Sequence, residues 1–196
     1  MLSIAAAAPQ PVAGDCAGGS PDQPSHCIYR AAFPSTGLVS RCRTDRDCRV
    51  GYYYGDPEKP VWLEPPPGVA TLPRPEVIWH EATFAEVRFE MDPARHLSYF
   101  FEAKRRRLSA PQPDVLGVDT RRLLMAQVDG RAIAVRQIFS AREVARIERA
   151  WAPGLPLREA LTAIHFDLDG RLTIAWRPGR GAEAITERIS IPSIPR

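Results

Sequence analysis

The segment His165-Phe-Asp-Leu-Asp169 comes nearer to chemistry than any other stretch of this chain. Alternation along a strand puts His165, Asp167 and Asp169 on one face, an arrangement that a metal or a general base could use. A plainer reading makes that face the solvent side, with Ile164, Phe166 and Leu168 as the core side and Asp169 serving the turn at Asp169-Gly170. Calcium is not favoured, because the remaining acidic positions and terminal Glu of a twelve-residue loop are missing. His80-Glu81 interrupts an apolar run over 77–91 and lacks the second histidine of a zinc-protease helix. No Gly-x-Ser-x-Gly elbow occurs, and Pro178-Gly-Arg-Gly181 reads as a turn, not a phosphate loop. A hydrolase would need a site assembled from separated residues, with His80/Glu81 or His165/Asp167 as its candidates. No metal or cofactor is implied, and the residues speak more for a binder than for an enzyme.

Two groups have the composition of a binding surface. Tyr52, Tyr53 and Tyr54 stand in a row, with Trp62 following, and Lys104 is followed by Arg105, Arg106 and Arg107. Aromatics and arginines are enriched where proteins meet proteins. Each group also has a structural reading: the tyrosines as core cover, and the basic run as a cap on the dipole of an expected helix C-terminus.

All the cysteines, Cys16, Cys27, Cys42 and Cys48, fall in the first quarter of the chain. An even count in a polar, Pro/Gly-punctuated segment reads as a disulfide framework in an oxidising compartment. Zinc prefers close pairs separated by two to four residues, which this spacing does not offer. Of the possible connectivities, Cys16–Cys27 with Cys42–Cys48 closes the smallest loops. Residues 1–8, apolar and ending in Ala5–Ala8, read as the remnant of a signal peptide or as a tail. Together these features predict a periplasmic or secreted protein.

Charge and hydropathy narrow the partners. The net charge of +3 is too small to argue for nucleic acid, and no run approaches the ~18 apolar residues of a membrane span. Residues 1–90 hold 8 basic against 11 acidic side chains, while residues 91–196 hold 18 against 12. Positive charge in the second half fits another protein, an acidic one, as the partner. The 24 arginines against Lys59 and Lys104, with abundant Ala and Pro, point to a GC-rich bacterial genome.

The elements that would position these groups follow from periodicity. Residues 9–50 form the cysteine-bearing arm and 51–75 a Pro-rich strap or linker anchored by Trp62 and Leu63. A domain then spans 76–196. Strands are expected at 77–80 and 83–91, with Glu86, Arg88 and Glu90 on the polar face. Asp92-Pro93 starts a helix bearing Leu97, Phe100, Phe101, Lys104 and Leu108 on one stripe. Hairpins are expected at Asp129-Gly130 and Asp169-Gly170, and a last strand at 185–191. Between the hairpins, Ser140 and Glu143 read as the capping box of a second helix carrying Val144, Ile147 and Trp151. The expected fold class is therefore α+β, an antiparallel sheet with two helices on one face behind a disulfide-stapled arm.

Its expected role is a secreted or periplasmic binding module of the inhibitor or immunity type, neutralising a toxin or lytic enzyme by occlusion. The alternatives are the hydrolase above and a structural accessory subunit of a cell-envelope complex.

Overall fold

The computed structural model describes residues 14–17, 24–32, 35–93, 95–151, 154 and 156–192. The expected signal remnant at 1–8 lies outside the described residues. Among those described, the chain builds seventeen strands in four antiparallel sheets and one short helical turn. The first sheet orders β1 (Asp15–Ala17), β2 (Ser25–Arg30), β3 (Thr36–Thr44), β4 (Asp47–Tyr54) and β5 (Val61–Trp62) as they occur in the chain. The second contains β6 (Glu76–Glu81), β7 (Phe84–Asp92), β8 (Arg95–Glu102), β9 (Arg107–Leu108) and β10 (Gln112–Pro113). The third orders β11 (Val115–Asp119), β12 (Leu124–Asp129), β13 (Ala132–Gln137) and β14 (Glu143–Ile147). After the turn α1 (Leu157–Ala160), β15 (Leu161–Phe166), β16 (Arg171–Trp176) and β17 (Ile185–Ser190) complete the fourth. No helix among the described residues is long and apolar enough to cross a membrane.

The chain groups into two compact units, residues 1–91 with 98–111 and residues 92–97 with 112–196. In the first, Leu38, Val39, Tyr53, Val87, Phe89, Phe100 and Phe101 are fully buried. In the second, Leu124, Ile133, Val135, Leu172 and Ile174 form a core with Trp151 and Trp176, whose rings meet edge to face at 5.2 Å.

The α+β expectation is overturned, because both expected helices are strand and turn. Leu97, Phe100 and Phe101 lie in β8, whose last six residues are all buried. A strand covered on both sides shows a continuous apolar run, and a helical stripe can be drawn through such a run. Lys104–Arg106 then form a turn, closed by Arg106 N–H to Ala103 O at 3.3 Å. Ser140 and Glu143 make no capping box: the Ser140 hydroxyl donates to Gln137 Oε1 at 2.6 Å. Glu143 opens β14, which pairs with β13 through Ile133↔Ile147. The described residues of the disulfide-stapled arm, 9–50, contribute β1–β3 and most of β4 to the first sheet.

Both expected hairpins form, each with its own turn chemistry. In the first, Asp129 pairs with Ala132 and Gly130 sits at φ 63°. Glycine thus takes the first central position, as in a type II′ turn. In the second, Gly170 at φ 81° follows a turn closed by Gly170 N–H to Asp167 O at 2.9 Å, the three-residue loop with a left-handed glycine.

Candidate interaction surface

The structure pairs Cys16 with Cys27 and Cys42 with Cys48. Each pair stands directly opposite across neighbouring strands, so the bridges tie β1 to β2 and β3 to β4. Arg41 comes opposite Arg49 one step beyond the second bridge, and His26 on β2 comes opposite Arg41. Strand alternation sets this row on the face away from Cys42 and Cys48, whose residues are both buried.

Trp62 joins the same face. It pairs with Gly51 on β4, where a Cβ would come within 2.8 Å of Val61 O and 3.1 Å of the indole. The bare glycine is what lets the ring lie across the strand. The guanidinium of Arg49 stacks over that ring at 4.7 Å and that of Arg41 at 5.5 Å, both within cation–π range. Glu58 accepts from Arg41 at 2.7 Å, and Asp47 from Arg43 at 2.5 Å. Beside the row lies an open groove of ≈ 640 Å³ whose lining includes Ser25, His26, Arg41, Arg43, Asp47 and Arg49.

The tyrosine run divides between two faces. Tyr53 is buried. Tyr52 stacks on Phe101 at 5.8 Å and meets Tyr54 edge to face at 5.5 Å. Arg106, held at φ 51°, places its guanidinium 4.8 Å over Tyr54. Burial pushes the Tyr54 hydroxyl up to about 12, with Tyr52 adding to the effect and Arg106 opposing it. Arg105 and Arg107 converge on Glu102, at 2.9 Å and 2.5 Å. Tyr52, Tyr54 and Arg106 are thus one cluster, while Trp62 belongs with Arg41 and Arg49 on the opposite side of β4. Because this run follows the strand β8 and not a helix, it caps no dipole.

Each of the two catalytic candidates sits in a network of hydrogen bonds. His80 bonds Glu86, not Glu81: a register shift between Trp79 and Glu81 re-aims the ring, and its Nε2 lies 3.0 Å from Glu86 Oε2. Glu86, expected on a polar face, is fully buried. It also accepts from Ser98 Oγ at 2.6 Å and from Arg88 at 2.9 and 3.2 Å. Burial alone would raise its carboxyl; hydrogen bonds from His80 and Ser98, with the charge of Arg88, instead hold it down at about 2.

His165 lies 3.2 Å from Asp167, but Asp167 also accepts from Arg188 at 2.8 Å and from Thr173 at 3.0 Å. Those partners outweigh partial burial and lower its carboxyl below the usual range. His165 itself is 59% exposed. A further histidine went unread in the sequence. His96 Nδ1 accepts from Arg158 at 2.7 Å, which leaves Nε2 to donate to Val115 O at 2.6 Å.

No family model matches the chain, and no curated protein matches it. Among solved structures it is similar to the extracellular domain of a one-component system from B. thetaiotaomicron, at 14% identity with a TM-score of 0.37. That match covers 95% of this chain and 24% of the other, so the chain spans about a quarter of its length. A likeness this slight carries no argument about function.

Proposed function

We propose that this chain is a protein-binding module of the periplasm or the extracellular space, acting on its partner by occlusion, as an inhibitor of a toxin or lytic enzyme would. The observation that carries the reading is the exposed pairing of Arg41 and Arg49 over Trp62. Arginine and tryptophan are the residue types that dominate binding energy at interfaces. The sheet that presents them is crosslinked by two disulfides, which fits an oxidising compartment. A crosslinked sheet is also pre-organised, so little ordering entropy opposes association. By contrast, Glu86 and Asp167 are engaged by arginines and hydroxyls of their own unit, which leaves the binding reading ahead of the hydrolase.

Lysine scarcity makes the test sharp, because Lys59 and Lys104 are the only lysines. Lys59 lies in the loop before β5 and reports on the Trp62 face, whereas Lys104 sits in the turn of the arginine run. Amine crosslinking in the native compartment, read by mass spectrometry, should join one protein partner to Lys59. Trp62→Ala should abolish that product. Crosslinks confined to Lys104, or unchanged by the substitution, reject this face as the contact.

A further inference from the structure

Like charges directly opposite each other destabilise an antiparallel pair, yet the first sheet sets Arg41 against Arg49 and adds His26 beside Arg41. Internal contacts offset part of that repulsion. Glu58, fixed in a turn where its N–H bonds Asp56 Oδ1 at 2.9 Å, sits on Arg41. Arg49 leans on Trp62 but has no ion-pair partner among the described residues. Within the groove lining, His26 Nε2 is buried and has no hydrogen-bond partner among the described residues. The face therefore has one cation lacking an anion and one polar atom lacking a mate.

Its own contacts indicate which anion it takes. Both carboxylates already there, Glu58 and Asp47, seat on exposed arginines at 2.7 and 2.5 Å. Two guanidinium groups already lie over the Trp62 ring, so a sugar or a base would have to displace them to stack there. Arg49, held over the ring with no ion-pair partner among the described residues, offers its N–H groups to an oxyanion.

Resting on the protein-binding reading above, we propose that this face receives an acidic segment of the partner protein, with one carboxylate seated on Arg49 beside Trp62. Glu58 is the resident carboxylate that a second incoming one must displace from Arg41. His26 bonds a polar group of the segment at the groove. Glu58 thereby sets the affinity: an occupant gains Arg49 outright but competes for Arg41.

The probe is a fluorescently labelled glutamate decamer, with binding read by anisotropy at low salt. Wild type should bind it. Arg49→Glu should weaken binding at least tenfold, while Arg180→Glu, the same charge change at an exposed turn residue of the other unit, should leave it within about twofold. Glu58→Gln should tighten binding several-fold by freeing Arg41. Thermal melts accompany each variant, and Arg49→Gln replaces Arg49→Glu if the reversal unfolds. No binding to wild type, or equal loss from the two arginine reversals, overturns the proposal. So does Glu58→Gln binding no tighter than wild type, or preference for a sulfated polysaccharide or inorganic phosphate over the peptide. A native-partner crosslink at Lys59 that survives Arg49→Glu would overturn acidic docking while leaving the protein-binding reading intact.

Discussion

His80 and Glu86 meet through a β-bulge, Nε2 to Oε2 at 3.0 Å, although the strand pairing sets Ile78, not His80, opposite Glu86. The bulge brings a ring to a carboxylate that is fully buried and also bound by Arg88 and Ser98. Because the folded-state carboxyl is held at about 2, below its ordinary 4.5, it contributes stability that is present above pH ~4.5 and lost as pH falls towards 2. The shift corresponds to roughly 3 kcal/mol. Urea unfolding followed between pH 3 and 7 should show the acid limb, and Glu86→Gln should flatten it while lowering stability at pH 7 by ~3 kcal/mol. An acid limb identical in wild type and variant would assign it to other groups.

The disulfides should be complete in protein taken from its native compartment. Intact-mass analysis under denaturing conditions should find no alkylated cysteine before reduction and four after it. The Cys42–Cys48 bridge closes a loop with a sequence separation of 6, so replacing both with Ser should lower stability by ~2 kcal/mol. Four alkylated cysteines without reductant would remove the argument for an oxidising compartment.

His165 and Asp167 should separate in their effects. His165→Ala removes a largely exposed ring and should change stability by no more than ~0.5 kcal/mol. Asp167→Ala also removes the acceptor for Thr173 and Arg188 and should cost ~1–2 kcal/mol. Neither should alter partner binding by more than a few-fold. Loss of the biological effect in His165→Ala, at an unchanged melting temperature, would revive the hydrolase reading.

What was legible in the sequence was what local chemistry dictates. Asp129-Gly130 and Asp169-Gly170 mark hairpins because a left-handed backbone asks for glycine wherever it falls. The strands 185–190 and 84–92 carry enough β-formers to be placed. β8 was not legible, since burial on both sides erases the period of two, and neither was the burial of Glu86, which depends on the bulge at His80 and on Ser98 twelve residues away. The arginine row was hidden for the same reason, because opposition across strands is a matter of register. A signal existed nonetheless. Reading Cys42–Cys48 as a bridge across a hairpin sets Cys42 opposite Cys48, and one step outward sets Arg41 opposite Arg49.

The segment from Ser140 to Glu143 offers a test in which the two folds predict opposite signs. As a capping box, Ser140 would place Ala141 at the first helical position, where glycine is a poorer helix former than alanine and would lower stability. In the observed turn, Ala141 is exposed at φ 55°, and its N–H bonds Gln137 O at 2.9 Å. Gln137 N–H in turn bonds Arg142 O at 2.9 Å, so the backbone is held in the left-handed region from both sides. That conformation costs an alanine ~1 kcal/mol more than a glycine, partly balanced by the larger entropy glycine loses from the unfolded chain. Ala141→Gly should therefore raise stability by ~0.5 kcal/mol in urea unfolding, with an unchanged m-value. A fall of similar size would return the segment to a helix.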